Sequence, residues 1–259
     1  MPRYKLIIAY EGTNFHGWQK QLPPDEEPLR TVQGVLEDAL AKVFRQPINV
    51  QGASRTDTGV HARHQVAAFD CETQIEVTRI ASAINYRLPD DVQVKEAKII
   101  HDSFDPVSHA ISKGYRYRIA YGNKGQYHQP LFSRRLTYFS GYELDPQRMN
   151  EAAQHFIGEH DFAAFVKADH GRETTVRTIH DCKVIAKSNR RCSIDISGNG
   201  FLHNMVRIIA GTLIEVGRGK YEPEQIPSII ASKDRAKAST TLPPEGLFLM
   251  WINYGDSGS

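Results

Sequence analysis

Residues 53–62 read ASRTDTGVHA: Ala53-Ser54-Arg55-Thr56-Asp57-Thr58-Gly59-Val60-His61-Ala62. Asp57-Thr58-Gly59 is the tripeptide that carries the carboxylate of aspartic proteases, so its reading decides between an all-β hydrolase and a mixed fold. An aspartic protease shares one proton between two carboxylates, because like charges in contact do not both ionise. The chain offers Asp256-Ser257-Gly258, but a single residue follows it, too few to build a second active-site loop. The same objection removes the serine-protease look of Gly255–Ser259, "GDSGS". A phosphatase of the Asp-x-Asp-x-Thr type fails because position 59 is Gly.

The flanks of the loop are not all-β. Upstream, Val32, Val35, Leu36, Ala39, Leu40, Val43 and Phe44 fall on one helical stripe, with Thr31 as its N-cap and Pro47 after it. Tyr4–Tyr10 before that helix and Ile48–Ala53 after it read as strands. Downstream, a strand near Gln65–Cys71 leads to a second stripe of Val77, Ile80, Ala81 and Ile84, ended by Pro89, and then to a strand at Val92–Ile99. The second half repeats the order. Tyr115–Tyr121 is a strand, and Asp145-Pro146 caps a helix whose stripe is Met149, Ala152, Ala153, Phe156 and Ile157, with Gly158 as stop. Strands follow at Thr178–Ala186 and Cys192–Ser197, then helices over Leu202–Val216 and Glu224–Ser232, and a last strand at Leu247–Tyr254. Two successive βαββαβ units predict an α+β fold of two ferredoxin-like halves, with mainly antiparallel sheets joined side by side. The expected division is 1–105, 106–254 and a tail at 255–259. Loops are expected at Gln19–Leu29 and Gly122–Gln129.

Composition bounds the rest. The 259 residues are 40% hydrophobic and 24% charged, ordinary for a globular protein. No apolar run is long enough to span a bilayer, and Met1–Gly12 reads as a short strand rather than a signal peptide. Three cysteines without a Cys-x-x-Cys pair give neither a disulfide framework nor a cysteine zinc site, and fit a reducing cytosol. Net charge is only +2, which neither demands nor excludes a nucleic-acid partner. Basic residues cluster at Lys113–Arg118 ("KGYRYR"), Ser133–Arg135 and Lys187–Arg191. Cations interleaved with tyrosines suit single-stranded RNA, but a solvated strand face of alternating Arg and Tyr is the simpler local reading. His61-x-x-His64 and His203 lack the third His, Cys or Glu of a metal site, so no metal is expected. His61 is read as support for the Asp57 loop.

Asp57 sits between two strands, where Thr56, Thr58 and Gly59 suit a tight turn and Gly59 is a candidate for positive φ. A carboxylate flanked by Arg55 stays ionised and can act as a nucleophile. Read locally, an aspartate bonded to its own turn explains the sequence as well.

A wider match separates the two. "GASRTDTGVHARHQVAAFD" resembles the catalytic segment of the tRNA pseudouridine synthase A (TruA) family, with its Gly-x-x-Arg-Thr-Asp-x-Gly-Val-His-Ala pattern. "YEGTNFHGWQKQ" (Tyr10–Gln21), "TVQGVLEDAL" (Thr31–Leu40), "GEHDFAAF" (Gly158–Phe165), "VRTI" (Val176–Ile179), "GNGFLHNMVRIIAGTLIEVGRGK" (Gly198–Lys220) and "PPEGLFLMWINY" (Pro243–Tyr254) are similar to further blocks of that family, in order. The resemblance implies the pseudouridine synthase fold. It implies isomerisation of uridine to pseudouridine in the anticodon stem-loop of tRNA, at positions 38 to 40, by a cytoplasmic homodimer with no cofactor and no metal. It makes Asp57 the nucleophile, Tyr115 the ring that stacks on uracil, and Arg207 the ion-pair partner of the aspartate. Arg55 would help displace the target base, and Leu247 would line the uracil pocket. A non-catalytic RNA-binding or tRNA-folding module is the alternative; it has no need of a carboxylate beside RNA phosphates. One segment departs from the family pattern. Before Tyr115 the family has Phe-His/Asp-Ala-Arg-Phe-Ser-Ala, whereas this chain has "FDPVSHA": Phe104 and Ala110 keep the frame, but the arginine falls on Val107 and the phenylalanine on Ser108.

Overall fold

Helix α1 (Val32–Phe44) begins where the sequence places it, because Thr31 is extended and its side chain accepts a hydrogen bond from the Gly34 amide at 3.3 Å. That bond satisfies one of the otherwise orphaned first-turn donors. The computed structural model describes residues 1–21, 27–122, 129–167, 173–187 and 189–255. Contacts divide the chain into two compact units, Met1–Ile111 with Phe248–Ser259, and Ser112–Leu247.

The first unit holds β1 (Arg3–Tyr10), α1, β2 (Gln51–Gly52), β3 (His61–Asp70), α2 (Val77–Asn85) and β4 (Val92–Ile100). Its strands run in the order β4-β1-β3-β2, all antiparallel, which is the ferredoxin-like arrangement of a βαββαβ unit. In β1 the fully buried Leu6 and Ile8 share one face with Tyr4, whose ring stacks on Phe69 of β3 at 5.3 Å. Phe44 of α1 packs on the same Phe69 at 5.7 Å, so α1 covers that face. Leu36 and Leu40 are fully buried on α1, each contributing about 1.5–3 kcal/mol of transfer free energy.

The second unit holds β5 (Ser112–Tyr121), β6 (Tyr138–Ser140), α3 (Pro146–Gln154), β7 (Gly158–Asp161), β8 (Val176–Lys187), β9 (Arg191–Gly198), α4 (Met205–Gly217) and α5 (Ile226–Ser232). Its sheet runs β5-β9-β8-β7 antiparallel, with β6 parallel to β5. The expected cap of α3 is present: the Asp145 carboxylate accepts from the Gln147 and Arg148 amides, and Pro146 opens the helix. Strand β10 (Leu247–Asn253) belongs from Phe248 onward to the first unit, where it pairs in parallel with His61 and Ala62 at the start of β3. The fold is therefore α+β with mainly antiparallel sheets.

Several boundaries differ from the expectation, each for a local reason. The strand expected over Ile48–Ala53 shrinks to Gln51–Gly52. The Val50 amide bonds to Glu37 and its carbonyl accepts from Gln33, both on α1, so side chains take the groups a ladder would need. Helix α4 starts at Met205 rather than Leu202, because Asn204 adopts a left-handed φ of 62°. Helix α3 ends at Gln154, short of Gly158, which instead opens β7 with φ 109°. Most of the loop at Gly122–Gln129, the middle of Gln19–Leu29 and the tail after Gly255, including Asp256-Ser257-Gly258, lie outside the described residues.

Candidate active site

Asp57 stands on the loop between β2 and β3, and nearly every residue around it is pinned. The Ala53 amide donates to Val66 at 2.8 Å, and Ser54 is held at both ends by the buried Gln65 side chain. Thr56 is buried; its hydroxyl bonds Tyr10 at 2.7 Å and its carbonyl accepts from the Trp18 amide. The turn closes when the Val60 amide donates to the Asp57 carbonyl, and Gly59 takes φ 78°, the positive value its position suggested. Asp57 itself is half-buried and Arg55 is exposed. A loop held this tightly presents a carboxylate at little entropic cost when a substrate binds.

The segment Glu11–Trp18, the "EGTNFHGW" block, forms the loop's outer wall. The Gly12 amide donates to His61 Nδ1 at 2.9 Å, and the buried His61 ring stacks on Phe248 at 4.6 Å. This is the supporting role read for His61. Gly17 has φ 87°, and a Cβ there would lie 2.7 Å from the Thr56 carbonyl. The wall reaches the loop only because that residue has no side chain.

The other residues expected at the site stand in the second unit. Tyr115 lies on β5 opposite Ile196 of β9, at 9% exposure, with its ring edge-on to Phe201 at 5.1 Å. Arg207 lies on the third position of α4, a helix otherwise buried along most of its length. Its Nε donates to the Leu242 carbonyl at 2.6 Å, and another guanidinium nitrogen donates to Asn204 at 2.7 Å. Leu247 is buried where β10 begins, directly after the 3₁₀ turn Pro244–Gly246.

The "KGYRYR" cluster resolves into two faces. Tyr115 and Tyr117 point to the buried side, while Arg116 is bidentate on Asp195 at 2.7 and 2.6 Å. Arg116 is therefore committed to a part-buried internal pair, rather than standing on a solvated face. Tyr117 is fully buried and donates to the Pro243 carbonyl at 2.7 Å. Burial pushes its phenol well above the usual range, with Glu245 and Tyr138 adding to this and Arg207 opposing it. Tyr117 and Arg207 thus grip adjacent carbonyls of one segment, Leu242-Pro243. Sequence reasoning missed Phe201 and Tyr117. The signals were present: an aromatic just before the Leu202-His203-Asn204 turn, and the second tyrosine of an alternating strand.

All three cysteines are free and buried, and burial pushes the Cys192 thiol up to about 12 and those of Cys71 and Cys182 upward. Among the described residues no three His, Cys, Asp or Glu side chains group as metal ligands, and no helix is long and apolar enough to cross a membrane.

Comparison with known proteins agrees with the ordered motifs. A family model described as tRNA pseudouridine synthase matches residues 6–106 and 152–255. The tRNA pseudouridine synthase A of Thermoanaerobacter sp. (strain X514) is 42% identical over 254 residues, 98% of this chain and all of that protein. The proteins of the same name from Ruminiclostridium cellulolyticum and Geotalea uraniireducens are 43% and 42% identical over the same shares. The chain belongs to the tRNA pseudouridine synthase family, whose members are isomerases.

Proposed function

We propose that this enzyme converts uridine to pseudouridine at positions 38 to 40 in the anticodon stem-loop of tRNA, with Asp57 as its nucleophile. The observation that carries the proposal is the Asp57 loop. It offers a half-buried carboxylate on a turn whose neighbours are fixed through Thr56, Gln65, Gly12 and Gly17. The reaction breaks the C1′–N1 bond and forms C1′–C5, so the uracil must leave the base stack, detach, rotate and reattach. An ionised carboxylate serves this by attack at C1′ or C6, or by removing the C2′ proton to start an elimination.

The remaining roles follow from the resemblance. Tyr115 stacks on the uracil, Arg207 partners the carboxylate, Leu247 lines the uracil pocket and Arg55 helps displace the base. Tyr115 is suited to stacking because its ring is braced edge-on by Phe201. Arg207 is suited to a fixed charge because two acceptors already orient its guanidinium. The proposal includes a homodimer in the cytoplasm; buried free cysteines fit a reducing compartment.

The test uses tRNA transcripts tritiated at uridine C5, where pseudouridine formation releases tritium. Release from transcripts bearing uridine only at 38, 39 or 40, and none when all three are cytidine, supports the site. Release that persists in the triple-cytidine transcript overturns it. Light scattering tests the dimer: the chain mass is 29.2 kDa, and a solution mass of twice that value is expected.

A further inference from the structure

Two residues of the segment that departs from the family pattern, Phe104 and His109, help to line a cavity. In the first unit, Ile100, His101, Ser103, Phe104, His109, Ile111 and Tyr254 enclose about 370 Å³, open on one side. None of these residues belongs to the Asp57 loop. The volume falls within the range of small-molecule sites, roughly 300–1,000 Å³, and far exceeds that of a single water.

The cavity has an aromatic floor and a polar rim. Phe104 and Tyr254 are buried and meet edge-to-face at 5.0 Å. They are held from below: Arg3 Nε donates to the Phe104 carbonyl at 2.6 Å, and Tyr254 donates to the Pro106 carbonyl at 2.8 Å. Lys5 places its ammonium 5.7 and 5.9 Å from the two ring centroids. Ala53, Val66 and Ala68 pack under the same rings, so the floor rests on the root of the Asp57 loop.

At the rim, His101 Nδ1 accepts from the Ser103 amide and His109 Nδ1 accepts from the Asp105 amide. In the neutral imidazoles this fixes the tautomer and leaves Nε2–H as a donor on each ring. The Asp105 carboxylate is occupied by the Val107 and Ser108 amides. Ile111, 56% exposed, adds an apolar lip.

The Ser103 hydroxyl is taken up by His101 Nδ1 at 2.7 Å, so two ring donors, apolar walls and an aromatic floor remain, and these fit a planar ring with in-plane acceptors. A bare anion would meet too much apolar surface, and an aliphatic chain would leave the rim donors unused. We propose that this cavity is an accessory nucleobase site, which takes an unpaired base away from the reacting uridine. The base comes either from bound RNA or from a free nucleotide. The proposal goes beyond the uridine-to-pseudouridine reading and does not depend on it.

The test is binding, so it reads out whether or not the chain isomerises uridine. Imidazole resonances of His101 and His109 are followed by NMR in the full chain during titration with each of the four nucleoside monophosphates and with a short single-stranded RNA. In parallel, tRNA affinity is measured for wild type, Ser103→Trp, which fills the cavity, and His109→Ala. Blocking access to the aromatic floor in Ser103→Trp, and removing a rim donor in His109→Ala, each predict that tRNA binds about tenfold more weakly. Weakened RNA binding without mononucleotide shifts assigns the site to a base of the RNA. Saturable mononucleotide shifts with unchanged tRNA affinity assign it to a free nucleotide. No histidine shift with any probe, together with unchanged tRNA affinity in folded variants, overturns the proposal. If a variant does not fold, the wild-type titration decides alone.

Discussion

Asp57 illustrates how little a single residue says and how much its neighbours add. Asp-Thr-Gly alone points to a protease, whereas Thr56 bonded to Tyr10, Gly17 against the Thr56 carbonyl and His61 bonded to Gly12 tie the loop into an α+β unit. Gly17→Ala would put a Cβ 2.7 Å from that carbonyl at a φ of 87°. Strain at such a position costs about 1–3 kcal/mol. The variant is expected to unfold at lower urea and to lose activity beyond the loss of stability, measured as turnover at a temperature where it remains folded. Tyr117→Phe removes the hydroxyl that holds the Pro243 carbonyl. Because Pro243 is itself exposed and water can reach its carbonyl, losing this bond is expected to cost about 0.5–1.5 kcal/mol in chemical denaturation. The thiols give a third residue-level outcome. Their thiolate forms are suppressed by burial, Cys192 up to about 12, so mass spectrometry should show no alkylation by iodoacetamide at neutral pH until the chain is unfolded. Fast native labelling of any cysteine contradicts the packing.

Elements were legible wherever a stripe and a cap coincide. Thr31 and Asp145 mark α1 and α3 because their side chains bond the first-turn amides, a local event that local sequence encodes. Strand β10 was legible as a strand, but its pairing with His61 and Ala62 was not, since register across nearly two hundred residues leaves no local trace. The short strands β6 and β7 were missed because three or four residues carry no periodicity. Ile48–Ala53 was overread for the opposite reason: its apolar alternation is real, but Glu37 and Gln33 bond the Val50 backbone first. Glu37 also accepts from Gln33 and Lys20. Glu37→Ala is therefore expected to lower stability by about 1–3 kcal/mol, through the stranded Val50 amide. Glu37→Gln, which keeps one carbonyl oxygen, is expected to lose less; equal losses would contradict the account.

At the scale of the whole molecule, acid stability carries a signature. The Asp161 carboxyl is held below the usual range by the Lys233 side chain first and by Thr175 next, with the Ala163 amide adding a smaller part. A depressed folded value means that the stabilisation is present above the unfolded value, about 3.9, and is lost as pH falls through the folded value. Asp161→Asn should therefore melt lower than wild type at neutral pH, and the gap should close below about pH 4. Family membership, by contrast, was legible in the sequence at this scale and at no smaller one. Blocks from Tyr10 to Tyr254 agree in order, and the family model covers residues 6–106 and 152–255. The central functional claim is that one carboxylate carries out the isomerisation. Its most direct test is pseudouridine formation in tRNA by wild type and by Asp57→Ala, read by carbodiimide-dependent primer-extension stops. The account predicts stops at positions 38 to 40 with wild type and none with Asp57→Ala, although the variant remains folded and binds tRNA. Full pseudouridine formation by Asp57→Ala would contradict it.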